Sequence, residues 1–212
     1  MIHITLAVAE ESIQKKSVQY DADEDGHYDT ISAFIKSVRG SDPDASLYWL
    51  AKMIYAGEDP RFIARRLAIL AAEDIGLADP MGLVVANSCF QIVELIGMPE
   101  ARIPLAETTL YLATAPKSNS AYKGIDAALD DIKSGRLQEV PKSLRSTAYK
   151  GSKKLGHGEG YQYSHDHPQH YVEQEFMPVK KTYYIPTDMG REKKIKEFME
   201  FLKQAARNQP KV

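Results

Sequence analysis

Apolar residues recur at helical spacing along most of the chain, and between residues 39 and 80 the helical stretches are separated three times by the same dipeptide. Asp42-Pro43, Asp59-Pro60 and Asp79-Pro80 each put a carboxylate at a helix N-cap and a proline at the first helical position, where no N–H donor is needed. Gly40, Gly57 and Gly76 stand two or three residues before these marks, where a preceding helix takes a left-handed C-cap. The stretch therefore reads as helices and short turns, with new helices beginning at 43, 60 and 80. An amphipathic helix over 27–39, with Ile31, Phe34, Ile35 and Val38 on one face, comes before them. Further helices are expected at 5–16 after a Thr5 cap, from near Pro104 to Ala115-Pro116, and from Ser118 or Asn119 to Ser134-Gly135. A last helix follows a Thr187 or Asp188 cap, with Ile195, Phe198, Met199 and Leu202 on its apolar face. Residues 148–190 are rich in Gly, Tyr, His and Pro without a period, and read as a long irregular segment packed over the helices.

Two of these helices are too apolar for a single buried stripe. Residues 43–56 hold Leu47, Tyr48, Trp49, Leu50, Ala51, Met53 and Ile54. In 80–97, Glu94 is the only charge among Met81, Leu83, Val84, Val85, Cys89, Phe90, Ile92, Val93, Leu95 and Ile96. Such helices have to be covered on most sides, either by neighbouring helices or by a partner subunit. Tyr48, Trp49, Met53, Met81, Val85, Phe90 and Val93, with Arg65 and Arg66 between them, are the candidate residues at such an interface or supporting it from below.

Composition narrows the class. With 43% hydrophobic and 26% charged residues among 212, the chain has an ordinary globular composition sized for one domain with appendages. Its apolar runs fall short of the roughly 18 to 20 residues a membrane helix needs, and no membrane partner is expected. The single cysteine, Cys89, rules out an internal disulfide and sits among core-like neighbours, in keeping with a reducing cytoplasm. Charge is uneven: residues 1–140 hold 13 Lys and Arg against 21 Asp and Glu, while 141–212 hold 14 against 8. That basic end makes Lys150, Lys153, Lys154, Lys180 and Lys181 candidate nucleic-acid contacts, with tyrosines available to stack on single-stranded DNA. The alternative is a solvated lysine-rich helix.

The segments HYDTISAFIKSVRGSDPDASLYWLAKMI, GEDPRFIARRL, EDIGLADP, GMPEARIPLAE and YLATAPKSNSAY, with the later GHGEGYQYSHDHP, resemble the C-terminal half of the replication-associated recombination protein A family, also called MgsA. Its members are AAA+ ATPases related to clamp loaders and to the Werner-helicase-interacting protein. The resemblance implies an all-α fold like the clamp-loader C-terminal collar. It assigns 1–20 to the end of the AAA+ lid, 21–26 to an acidic linker, 27–206 to a helical oligomerisation domain and 207–212 to a frayed tail. It further implies a homotetramer that serves a DNA-dependent ATPase at replication forks. That ATPase is expected to be cytoplasmic and nucleoid-associated, with single-strand-binding protein as a partner. ATP and Mg²⁺ belong to the family's N-terminal motor. This sequence contains no G-x-x-x-x-G-K-[ST] phosphate loop, so no cofactor and no catalytic residue is expected in it.

Weaker chemical signals remain. His157, His165, His167 and His170 with Asp166 form the only metal-like spacing, but no cysteine assists and the pattern matches no finger. Arg61, Arg65 and Arg66 are expected to serve structural ion pairs, with Glu73 two turns from Arg66 on one face. Lys117 reads as a residue of a tight interhelical turn.

Overall fold

The computed structural model describes residues 24–207, so the expected 5–16 helix, the 1–20 lid segment and residues 208–212 lie outside the described residues. All regular structure among the described residues is helical. The chain forms two compact units, with the boundary between Asn119 and Ser120.

In the first unit, α1 (Glu24–Arg39), α2 (Pro43–Tyr55), α3 (Pro60–Leu70), α4 (Met81–Ile96) and α5 (Arg102–Thr114) pack around Phe34, Met53, Ile63, Leu67, Leu105 and Leu112. The three Asp-Pro marks act as expected. Asp42 accepts from the N–H of Ala45 at 2.9 Å, Asp59 from Arg61 at 2.8 Å and Asp79 from Met81 at 3.2 Å. Helix α1 begins at Glu24, three residues before the expected start, so Glu24 and Asp25 are helical instead of forming a linker.

The turn after α1 differs in detail. Ser41, not Gly40, takes the left-handed conformation with φ 60°. The N–H of Asp42 reaches the Ser37 carbonyl and that of Ser41 the Val38 carbonyl, a complete Schellman motif. Gly40 is needed for another reason: a Cβ there would stand 3.0 Å from the Lys36 carbonyl oxygen.

Beyond Leu70 the helix widens into a π turn, Ala71–Ile75, followed by a 3-10 turn, Gly76–Ala78. This brings Glu73 and Asp74 to Arg39 at the end of α1, at 3.1 and 2.6 Å. The acidic pair is thus neutralised by Arg39 and not by Arg66, because the widened turn changes which way side chains after Leu70 point. Gly76 leaves the turn at φ 50°, ψ −133°, and a Cβ on it would lie 2.6 Å from the Ser118 carbonyl oxygen. Lys117 closes the same corner. Its ammonium donates to the carbonyls of Ala113 and Ala115 at the end of α5 and to Ser41 Oγ, and burial pushes its pKa down.

In the second unit, α6 (Ser120–Lys133) and α7 (Glu192–Arg207) are joined by a long segment with four short 3-10 turns. Among the described residues, no buried apolar side chain lies beyond Ala115, so this unit is organised by polar groups instead. Asp131 receives Lys181 Nζ at 2.5 Å, Arg136 at 2.6 Å and the Tyr183 hydroxyl at 2.8 Å. Glu192, fully buried at the first residue of α7, accepts from the hydroxyls of Ser120, Thr187 and Tyr184. Thr187 and Asp188 therefore do not cap α7 as expected. Thr187 bonds Glu192 and Asp188 pairs with Lys196 at 2.9 Å, because the helix starts four residues later. Between these clamps the chain at Tyr183 crosses α6 so closely that a Cβ on Gly124 would lie 3.1 Å from the Tyr183 carbonyl oxygen.

Two predictions follow from these contacts. Gly76→Ala strains the backbone and drives a methyl into a main-chain oxygen, so it is expected to cost about 1–3 kcal/mol or more. Gly57→Ala, with φ 84° but open space around it, costs only the left-handed penalty of about 1–2 kcal/mol. Urea unfolding of both variants checks the order, and equal losses would contradict the close approach at Ser118. For the second unit, Lys181, with Tyr183 and Arg136, holds the Asp131 carboxyl down to about 2. A lowered carboxylate pKa stabilises the fold above the ordinary value and loses that contribution as pH falls from about 4 towards about 2. Burial and the Glu192 carboxylate push Tyr184 up to about 12, so its contribution is full below the ordinary tyrosine range and is lost as pH rises from that range towards about 12. Unfolding measured across pH is expected to show both edges, with Asp131→Asn flattening the acid one and Tyr184→Phe the alkaline one.

Candidate assembly interface

Helix α4 leaves most of its large apolar side chains uncovered. Its buried positions are Gly82, Ala86, Cys89 and Val93, a stripe of mostly small residues at i, i+4, i+7 and i+11. A Cβ on Gly82 would already press on Leu112 and Ile75 at 3.2 and 3.3 Å, and Cys89 Sγ reaches the Pro104 carbonyl at 3.4 Å. The small stripe lets α4 lie close against α3 and α5. Its bulk lies off that stripe: Met81, Leu83, Val84, Ile92, Leu95 and Ile96 are exposed, Leu95 to 85%. Met81, Val84, Val85, Ser88, Ile92, Leu95 and Ile96 follow helical spacing along one flank, an apolar ridge interrupted only by Ser88. Of the two ways to cover this helix, the neighbouring helices supply only a narrow one. The helix enclosed on most sides is α5, with Leu105, Thr108, Thr109, Leu112 and Ala113 buried and α1, α2, α3 and α4 all against it.

A concave apolar surface lies between α2 and α5. This groove, of about 750 Å³, is lined by Leu47, Leu50, Ala51, Ile54, Tyr55, Ile103 and Ala106, with Arg102 and Glu107 as its charged residues. Helices α2 and α4 both pack on α5 and are not neighbours of one another, which separates groove from ridge.

The sequence candidates fall into three environments. Met53 and Val93 are buried supports of the core. Trp49, Arg66, Val85 and Phe90 are half-buried, with Lys52 Nζ 5.4 Å from the Trp49 ring centre. Tyr48, Arg65 and Met81 are exposed, Tyr48 standing edge-on to Trp49 at 5.0 Å. Ile103 and Ala106, which line the groove, were not among the candidates. Their signal is only the spacing of Ile103, Ala106 and Leu110 on a helix whose buried face is elsewhere. In the second unit, Tyr122, Ile125, Leu129 and Ile132 are exposed at the 3-4-3 spacing of a helix-pairing seam, an alternation that could be read from sequence.

The basic candidates are partly engaged. Lys181 is bound to Asp131, and Lys180 lies 3.7 Å from Glu173. Lys150 and Lys154 are exposed at the 3-10 turn Ser152–Leu155, which also contains Lys153. His157 pairs with the Tyr149 hydroxyl at 2.9 Å, while the rings of His165 and His170 lie 4.8 Å apart, tilted to one another. No group of three or more His, Cys, Asp or Glu among the described residues is placed to share a metal ion. No helix among them is long and apolar enough to cross a membrane.

Comparison with known proteins matches residues 40–203 to the family described as MgsA AAA+ ATPase C terminal, and residues 1–39 to the AAA C-terminal domain. The chain is 53% identical over 195 residues to an AAA domain-containing protein of Mycobacterium tuberculosis, covering 91% of this chain and 43% of that protein. It is 49% identical over 193 residues to replication-associated recombination protein A of Bacillus subtilis, covering 90% and 46%. The protein of the same name from Escherichia coli K12 is 41% identical over 200 residues, covering 92% and 45%. The chain thus spans less than half the length of each of these relatives.

The buried stripe and the exposed ridge of α4 should respond differently to substitution. Ala86→Leu forces bulk between α4 and the core and is expected to cost about 1–3 kcal/mol. Leu95→Ala on the ridge should leave the stability of the single chain within about 0.5 kcal/mol. Denaturant unfolding at low protein concentration makes the comparison, and a large loss at Leu95 would mean that the ridge packs within the chain.

Proposed function

The chain belongs to the MgsA family of AAA+ ATPases, matching the C-terminal part of its members, and from that premise we propose that it is the module that holds such an ATPase together as a homotetramer. The observation that carries this reading is α4, which turns six large apolar side chains to solvent while its buried stripe is made mostly of small residues. An apolar surface of this kind on a folded chain is stabilised by association.

Assembly serves the motor by proximity. Subunits joined through their C-terminal parts hold neighbouring nucleotide sites at high effective concentration, so that one motor can complete the site of the next. ATP and Mg²⁺ belong, in this reading, to that N-terminal motor, and these residues contribute assembly instead of hydrolysis. The names of the relatives from Bacillus subtilis and Escherichia coli support replication-associated recombination as the setting. There the whole protein acts as a DNA-dependent ATPase on the nucleoid, with single-strand-binding protein as a further partner.

Light scattering after gel filtration across a micromolar concentration series tests the proposal. A mass near four times 23.7 kDa is expected. A mass of 23.7 kDa at every concentration would remove assembly from this chain. Salt-sensitive DNA binding by that monomer would transfer the role to the basic residues beyond 141.

A further inference from the structure

In the second unit, residues 180–187 run without helix, turn or bend, and among the described residues no hydrogen bond engages the main chain of 180–186. We infer that this stretch is an open strand edge that pairs, through Lys180, Thr182 and Tyr184, with an extended acidic segment of a partner protein.

Two contacts fix which side of the chain is open. In an extended chain the N–H and carbonyl of one residue point the same way, and the direction alternates from residue to residue. The Gln138 side chain engages both groups of Val179, accepting from its N–H at 2.8 Å and donating to its carbonyl at 3.2 Å, as a neighbouring strand would. Four residues on, the Tyr183 carbonyl points at α6, close enough that a Cβ on Gly124 would meet it at 3.1 Å. Val179, Lys181, Tyr183 and Ile185 therefore turn their main-chain groups toward α6 and the chain that follows it. Lys180, Thr182 and Tyr184 turn theirs away. Side chains hold this register: Lys181 and Tyr183, two residues apart on one face, both bind Asp131, and the Tyr184 hydroxyl on the other face binds Glu192 at 2.9 Å. The strand is thus ordered before any partner arrives. Val179, Thr182, Tyr183, Tyr184 and Ile185 favour strands, and Pro186, which has no N–H, ends the edge.

The chemistry of the edge selects its occupant. Each outward residue offers a donor and an acceptor side by side, which another peptide backbone matches and a phosphate chain, with acceptors only, does not. Residues 179–187 contain Lys180 and Lys181 and no acidic residue. Lys181 is taken by Asp131, which Arg136 also holds. Lys180 is less engaged, for its ion contact, Glu173, stands at 3.7 Å with both side chains largely in solvent. A carboxylate on the incoming strand can approach Lys180 more closely than Glu173 does. A second copy pairing here would bring two more lysines and no carboxylate within the paired stretch, so like charge opposes it.

Residue-resolved amide hydrogen exchange on the full chain tests this, with an octapeptide of alternating glutamate and valine as the probe. In the free protein the amides of Lys180, Thr182 and Tyr184 are expected to exchange rapidly. Protection there without peptide would mean that the edge is already covered, by a second copy if the protection grows with protein concentration, and would overturn the inference. With the peptide at millimolar concentration these three amides are expected to slow at least about tenfold, while those of Lys181 and Tyr183 keep their rates. Slowing at all five alike, or at none, rejects the edge. A lysine and valine octapeptide should protect far less, and the acidic peptide N-methylated throughout should not protect at all; equal protection by either rejects, respectively, the charge or the main-chain pairing. Thr182→Pro removes the central donor at an exposed residue whose N–H has no partner within the chain. It is expected to abolish the protection of Lys180 and Tyr184 with circular dichroism unchanged, and unaltered protection would reject the contact. Should that variant fail to fold, the N-methylated peptide makes the same test from the other side.

Discussion

The narrow stripe of Gly82, Ala86, Cys89 and Val93 governs the architecture of the first unit. Because these side chains are small, α4 approaches the core until Gly82 is in contact with Leu112 and Ile75, and nothing larger fits along that line. The same closeness leaves no room for the helix's own leucines and isoleucines on the inner side. Burial of a small stripe and exposure of a large one are therefore two results of one packing choice. A helix that turns so much of its apolar content outward gains less from burial within its own chain than its composition allows.

The second unit follows a different logic. It has no buried large apolar side chain among its described residues, and its long connecting segment is held at two carboxylates. Asp131 gathers two cations and a phenol; Glu192 gathers three hydroxyls. Charge-assisted bonds to a carboxylate are stronger than neutral ones, and in partly desolvated surroundings they fix geometry as well. That is enough to order an irregular segment without an apolar core, and it makes the order of that segment depend on protonation, which an apolar core does not.

Much of the first unit could be read from local sequence, because its signals act over three or four residues. Asp42, Asp59 and Asp79 cap the helices whose starts they mark, and Pro116 ends α5. Gly57 and Gly76 take positive φ as their positions require, while at the first turn Ser41 takes it and Gly40 is kept by a carbonyl contact that no local pattern reveals. The excess of apolar residues in 80–97 was legible, but not its direction. Sequence does not say whether small or large residues face the core when both lie on possible faces. Arg39 pairing with Asp74 across 35 positions was hidden by the π turn, and Ser120 meets Glu192 across 72. Contacts at such separations follow from how the chain folds back, not from its periodicity. Three of the sequence candidates, Tyr48, Arg65 and Met81, reach solvent, whereas the groove residue Ile103 emerged only once α2 and α5 were seen side by side.

Helix α1 carries one last consequence. The two families matched along the chain meet between residues 39 and 40, yet Phe34 and Val38 of α1 are completely buried in the core formed with α2 to α5. Across that border Arg39 grips Glu73 and Asp74. The border between families is therefore not a seam in the fold. The helix that ends the match to the AAA C-terminal domain is built into the same core as the helices matched to the MgsA family, as a tang is built into a handle. Torque applied at its N-terminal end is delivered to the packed interior, with no joint between to absorb it.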